Sequence, residues 1–300
     1  MKILLTTNKT YRGVLDGGWW NFYIPLADMG HDMCFYDTVE GGEKTFKQTV
    51  ETFKPDLIFC IMTGDKSIAP KEPWEEISME TKSGRTKTYN WFCDDSWRYD
   101  SFSKNACTFF HVCSTTERSR IKDYKQDSYN NIFLTNWHVH SKFFKTKTYL
   151  NKSIDMSFIG YLTEIRKVFF NKTDLPITFF NKITQKELFA AHCETKIGIS
   201  LSRNDNDPYK KTQMKQRIFE VPAGGGLLLT EYHEGIEDYF KIDKEIVTFK
   251  SILEFKKKAN FLLHNPKISE KIAIEGHKRS LREHDSKIRL QEVLNNIKNL

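Results

Sequence analysis

The chain has 300 residues, 39% hydrophobic, 14% aromatic and 28% charged, enough apolar mass for a sizeable core and unlike a disordered tail, a collagen or a coiled coil. The formal charge of +7 lies in the second half: up to residue 150 there are 20 basic and 19 acidic residues, and after it 26 and 20. Within 250–300 the balance is 12 basic to 6 acidic, a pattern that reads as solvated helix faces rather than a nucleic-acid groove.

Along the chain, residues 3–6 form a short apolar strand followed by a loop holding Asp16, Gly17 and Gly18. An amphipathic helix over 20–29 then stops at Gly30, and MCFYDT at 33–38 is a second strand. This order is too long for a hairpin and suits a right-handed crossover between parallel strands. It continues with a helix over 43–53 and strands over 57–62, 88–92 and 108–113, until a polar, lysine-rich stretch at 141–153 intervenes. Strands over 156–159, 177–180, 197–201, 226–230 and 246–249 then alternate with helical patterns, and the chain closes with helices over 252–264, 269–284 and 287–297. The expected architecture is α/β, with Rossmann-like domains at 1–150 and 151–300 and a terminal helix able to pack back on the first. Such sheets take ligands beyond the carboxyl ends of their strands, and two of them facing each other frame an interdomain cleft. The six cysteines, Cys34, Cys60, Cys93, Cys107, Cys113 and Cys193, show no C-x-x-C spacing and read as reduced core residues. No apolar run reaches the roughly 18 residues of a membrane span, and MKILLTT turns polar too soon for a signal peptide, so a cytoplasmic location is expected.

The most informative stretch is KQRIFEVPAGGGLLLTEYHEGIE at 215–237, where a short helix bearing Arg217, Phe219 and Glu220 runs into three glycines and then a buried strand. The glycines lie between helix and strand, the reverse of a Walker or dinucleotide loop, and read as a tight turn. Continued through KEIVTF at 244–249 and LLHNPKISEKIAIEGHKRSLREHDSKIRL at 262–290, the stretch resembles the C-terminal domain of GT-B glycosyltransferases of the group-1 type, particularly the CgeB-like branch. That resemblance implies a GT-B fold and transfer of a sugar from a nucleotide-diphosphate sugar to an acceptor hydroxyl. It further implies retention of configuration, no metal, and no cofactor beyond the nucleotide-sugar co-substrate, UDP- or GDP-linked.

The same resemblance assigns donor-binding roles. Glu220 accepts hydrogen bonds from the ribose hydroxyls, two carboxylate oxygens meeting two vicinal hydroxyls. Arg217 and Lys215 hold the diphosphate and stabilise it as leaving group. Gly160, followed by Tyr161, Thr163 and Arg166, lets the backbone approach the phosphates while Arg166 contacts them. Thr230, Glu231 and Tyr232 face the phosphates or the sugar. Relatives often carry another glutamate eight residues before Glu220; here that position is Thr212.

In the first half, the candidate loops are Asp16-Gly17-Gly18-Trp19 and Asp94-Asp95-Ser96-Trp97. The second lies in YNWFCDDSWRYD at 89–100, which resembles the family's loop near the transferred sugar. One of Asp94 and Asp95 is expected to orient or deprotonate the acceptor hydroxyl, with Asp16 touching acceptor or donor. Trp19 and Trp97, clustered with Trp20 and Trp91, are expected to stack on a sugar or a base. His138 and His140 form an H-x-H pair with no nearby Cys or carboxylate, and the adjacent Asp94 and Asp95 lack D-x-D spacing, so no metal is expected. The expected acceptor is a surface glycan or glycolipid. One alternative is DNA with hydroxylated bases, modified by a phage-type enzyme in the host cytoplasm, and the near-neutral first half counts against it. Another, motivated by Thr212, is a catalytically silent nucleotide-sugar or nucleic-acid binding protein.

Overall fold

The structure is a computed structural model. It describes all residues except 12, 13, 16 and 204–211, with backbone alone at 11, 14 and 15. The chain divides into two compact units, residues 1–136 with 286–300, and residues 137–285.

The first unit contains β1 (Lys2–Thr7), a small antiparallel pair β2 (Thr10–Tyr11) and β3 (Val14–Leu15), then β4 (Asp32–Asp37), β5 (Leu57–Cys60), β6 (Lys87–Phe92), β7 (Val112–Thr115) and β8 (Ile132–Leu134). Six of these form a parallel sheet in the order β4-β1-β5-β6-β7-β8. Strands β1 and β5 are continuous apolar runs because both faces of a parallel sheet are covered, and Ile3, Leu4, Ile58 and Phe59 are fully buried. The helix expected over 20–29 is a π-helical turn, Gly18–Tyr23, leading into an α-helix at Ile24–Asp28. Pro25 has no N–H to donate one turn back, so the α ladder breaks there. Gly30 ends it at φ +86°. The strand expected over 108–113 begins only at Val112, because Cys107–Phe109 close a 3-10 turn. The helices Trp74–Ser83 and Arg120–Gln126 carry too few apolar residues to announce themselves, the first burying only Ile77 and Glu80, and the strand β8, though apolar throughout, is only three residues long.

The change of unit falls at Trp137, not at residue 150. Val139 N donates to His284 O (3.2 Å) and Ser141 N to an Asp285 carboxylate oxygen (3.0 Å), tying this segment to the end of the helix Pro266–Glu283. The terminal helix Ser286–Asn299 belongs to the first unit.

The second unit carries β9 (Ile154–Ile159), β10 (Thr178–Phe180), β11 (Thr195–Ser200), β12 (Leu227–Glu231) and β13 (Val247–Phe249), parallel in the order β10-β9-β11-β12-β13. In each sheet the first strand has its successor on one side and a later strand on the other, so a switch point opens between β1 and β5 and between β9 and β11. Such points are where open α/β sheets hold ligands. The glycine cluster after the helix Arg217–Ala223 is a turn. A Cβ on Gly224 would come within 2.8 Å of the His192 backbone, and Gly225 has φ +72°. The buried Lys152 clamps this turn, its Nζ donating to Gly224 O (2.7 Å) and to Cys193 O.

Candidate functional site

Beyond the carboxyl end of β9 the backbone turns through Gly160 at φ +144°, and a Cβ there would lie 2.1 Å from Arg217 Nη2. Arg217, the first residue of its helix, donates from Nε to Ile159 O and sets its guanidinium 4.5 Å from the Phe158 ring centroid. Arg166 lies over the same ring at 5.5 Å and donates to Tyr161 O at 2.7 Å. Sequence-distant residues are thus gathered at one corner. Arg217 Nη1 is buried and has no hydrogen-bond partner among the described residues. Burial and the Arg166 charge pull the Arg217 pKa down to about 9, against the opposing pull of Glu220, so it remains a cation at neutral pH. Two guanidiniums near enough for one to lower the other's pKa repel, and an anion bound close to both relieves that repulsion and can satisfy the orphan N–H.

Glu220, one turn after Arg217, is buried, and its Oε2 lies 3.5 Å from His192 Nε2. Lys215 is half-buried just before the same helix. Past the ends of β11, β12 and β13 lies a pocket of about 310 Å³ whose walls include Ile165, Val168, Phe169 and Phe249, with Arg166, Arg203, Glu231 and Lys250 at its polar side. Glu231 pairs with Arg203 Nε (2.7 Å) and accepts from Ser202 N (3.2 Å). Tyr232 carries the Lys250 ammonium over its ring at 4.3 Å, and a hydrogen bond to Glu237 raises its hydroxyl pKa. Thr230 does not face the pocket. Strand alternation turns it inward, it is fully buried, and its hydroxyl donates to Glu231 O (3.1 Å). Thr212 meets His233 Nδ1 at 3.2 Å, and burial lowers the pKa of that imidazole.

In the first unit, Asp16 lies outside the described residues. Asp94 and Asp95 follow β6 at its carboxyl end but occupy different environments. Asp95 is fully buried and accepts from Tyr124 OH at 2.8 Å, with further hydrogen bonds from Ser103 and Thr115. Burial raises its pKa to about 6, partly offset by those bonds. It is therefore a core carboxyl that an acceptor hydroxyl cannot reach, which corrects the expectation for one member of the pair. Asp94 is half-buried, and its side chain makes no capping bond to the turn it begins. Trp19 stacks on Tyr23 at 4.2 Å and meets Phe35 edge-on at 5.5 Å, with the Lys9 ammonium 5.2 Å from its centroid. Its faces are engaged within the unit, contrary to a free stacking platform. Trp91 is core, edge-on to Phe22 at 4.7 Å. Trp97 is half-buried, with the Arg98 guanidinium 5.6 Å away. His138 and His140 are buried, and no group of three His, Cys, Asp or Glu that could hold a metal occurs among the described residues.

Sequence reasoning missed Arg203, Lys250 and the apolar wall around Val168. Arg203 and Lys250 each come just after the carboxyl end of a strand, so the ligand rule for parallel sheets was the available signal. His192 offered none, because only folding brings it to Glu220.

The fold and the cationic corner together define an α/β protein with two guanidiniums gathered at the switch point of its second sheet. The Glycosyl transferase-like family model matches residues 143–295, just over half of the chain, and the chain belongs to that family. No curated protein matches it in sequence. Among solved structures, a glycosyltransferase from Rickettsia africae ESF-5 is similar at 10% identity and a TM-score of 0.67, over 99% of this chain and 98% of that one. Anabaena Alr3699/HepE in complex with UDP-glucose is similar at 10% identity and 0.66, over 99% and 100%. An α-glucosyltransferase in complex with UDP and a 13-mer DNA containing a HMU base is similar at 9% and 0.66, over 99% of each chain. The fold is GT-B, and the chain is a glycosyltransferase.

Proposed function

We propose that the chain moves a sugar from a UDP- or GDP-linked donor to an acceptor hydroxyl, with retention of configuration and with side-chain cations, not a metal, neutralising the leaving diphosphate. The carrying observation is the pair of guanidiniums, Arg166 and Arg217, gathered over Phe158 beside Gly160 at the carboxyl end of β9. Cations preorganised where charge develops lower the barrier without reorganising during the reaction. On this reading Lys215 adds a third charge and Glu220 takes the ribose hydroxyls. The apolar wall of the neighbouring pocket takes the flat faces of the donor, and Asp94 orients the acceptor hydroxyl. The CgeB-like assignment rests on the motif at 215–237.

A surface glycan or glycolipid is the proposed acceptor. DNA is the second reading, supported by the similarity to the α-glucosyltransferase in complex with DNA, and the near-neutral charge of residues 1–150 weighs against it. The test is a thermal-shift screen against UDP, GDP, CDP, ADP and their sugars, with and without EDTA, followed by transfer of labelled sugar to glycolipid and to hydroxymethylated DNA. A ligand at 100 times its Kd adds about 2.7 kcal/mol, which is readily read. One diphosphate shifting the transition, unchanged by EDTA, supports the proposal. No shift with any of them overturns it.

A further inference from the structure

The pocket past the ends of β11, β12 and β13 is more cationic than its own carboxylate can balance. Among the described residues that line it stand four cations, Arg166, Lys172, Arg203 and Lys250, and one acid, Glu231. Glu231 is already paired, with Arg203 Nε at 2.7 Å and Ser202 N at 3.2 Å, and Arg166 belongs to the corner over Phe158. Lys172 and Lys250 remain. Lys250 comes directly after β13, and the Tyr232 ring holds its ammonium at 4.3 Å. Glu254, in the first turn of the next helix, is taken up by Lys258 Nζ (2.7 Å) and by the backbone N–H of Lys250 (2.8 Å). Lys172 comes directly after the helix Glu164–Asn171, whose Ile165, Val168 and Phe169 form an apolar wall with Phe249. A cleft with cations of one sign and low-dielectric walls focuses its field on an anion inside it. The volume of about 310 Å³ is at the lower end of the roughly 300–1,000 Å³ of small-molecule sites, which suits one sugar ring rather than a whole nucleotide-sugar.

We propose that this pocket selects a donor whose transferred sugar carries a carboxylate, a hexuronic acid, with Lys250 and Lys172 meeting that carboxylate while Arg166 and Arg217 hold the diphosphate. This rests on the donor-site reading of the cationic corner and names the sugar class. A carboxylate offers two acceptor oxygens to two ammonium groups, whereas the matching neutral hexose has a hydroxymethyl group there and makes only neutral hydrogen bonds. Charge-assisted bonds of this kind correspond to a preference of about 10-fold or more.

The experiment titrates the wild type, K250R, K250Q and K172Q/K250Q calorimetrically with the nucleoside diphosphate selected by the thermal-shift screen, its neutral hexose conjugate and its hexuronic acid conjugate. The probes are UDP, UDP-glucose and UDP-glucuronic acid, or GDP, GDP-mannose and GDP-mannuronic acid. The wild type is expected to bind the uronic acid conjugate about 10-fold or more tighter than the neutral one. K250R should keep most of that ratio, K250Q lower it, and K172Q/K250Q bring it within about twofold, with affinity for the diphosphate itself unchanged throughout. A wild type that binds the neutral conjugate equally well or better overturns the proposal, and so does a preference that survives in K172Q/K250Q. Loss of diphosphate affinity in K172Q/K250Q equal to the loss for the uronic acid conjugate assigns the lysines to the phosphates and overturns their role toward the sugar. If the diphosphate fails to bind the wild type at all, the donor-site reading fails, and the proposal with it.

Discussion

Alanine at position 160 isolates the cationic corner with a single methyl group. Its carbon would lie 2.1 Å from Arg217 Nη2 and 3.2 Å from Cζ, while relaxed contact needs about 3.5 Å, so the guanidinium must move by more than an ångström. That movement disturbs its hydrogen bond to Ile159 O and its packing on the Phe158 ring. The backbone adds strain, because φ +144° is a conformation natural only to glycine and costs about 1–3 kcal/mol in other residues. Losing a charge-assisted hydrogen bond to a phosphate costs about 1.5–3 kcal/mol, or roughly 10- to 100-fold in affinity. Calorimetric titration of G160A with the diphosphate that binds the wild type, and with the matching nucleoside, reads this directly. Diphosphate affinity should fall by about that factor while the nucleoside is unaffected, with Tm lower by several degrees. A lowered Tm with unchanged diphosphate affinity would refute the reasoning, because the strain would be present and the Arg217 role absent.

The two aspartates after β6 should separate cleanly. In the folded protein Asp95 titrates at about 6, raised from 3.8 by burial, so between those values the folded state retains a proton that the unfolded chain has released. Stability is then highest below about 4 as far as this group is concerned, and is lost as pH rises through 6, by on the order of 3 kcal/mol. D95N, whose amide oxygen can still accept from Tyr124, should remove that component from urea-derived stability measured between pH 4 and 7. An unchanged slope would show that Asp95 ionises freely. D94N should lower kcat by 10²- to 10⁴-fold with donor Kd within twofold, measured by transfer of labelled sugar, and full turnover in D94N would remove Asp94 from the mechanism.

The two halves of the molecule differ in how much of them could be read from the sequence. Strands such as 57–60 and 227–231 are continuous apolar runs, and the helix Ile252–His264 shows its period and its Ser251 cap, so local composition is sufficient to find them. The helix Trp74–Ser83 buries only two residues and could not be found that way. Arg217 and Glu220 could be singled out because their spacing from a glycine turn is a chain property that survives without the fold, and Gly160 because it follows directly on an apolar strand.

What tertiary structure decided is which of the candidates can meet a ligand. Asp94 and Asp95 are adjacent in sequence, yet only Asp95 enters the core, because Asp94 stands before the short helix Asp95–Arg98 while Asp95 opens it and accepts from the buried Tyr124. Thr230 and Glu231 divide the same way at the end of β12. The contact of His192 with Glu220, and the meeting of Arg166 with Arg217 over Phe158, join residues from separate βα segments. Sequence alone determined the parallel α/β architecture and the glycine turn, since both follow from periodicity and backbone chemistry. The charge environment of the site came only from the sheet, because strand order rather than chain order sets the distances between those groups.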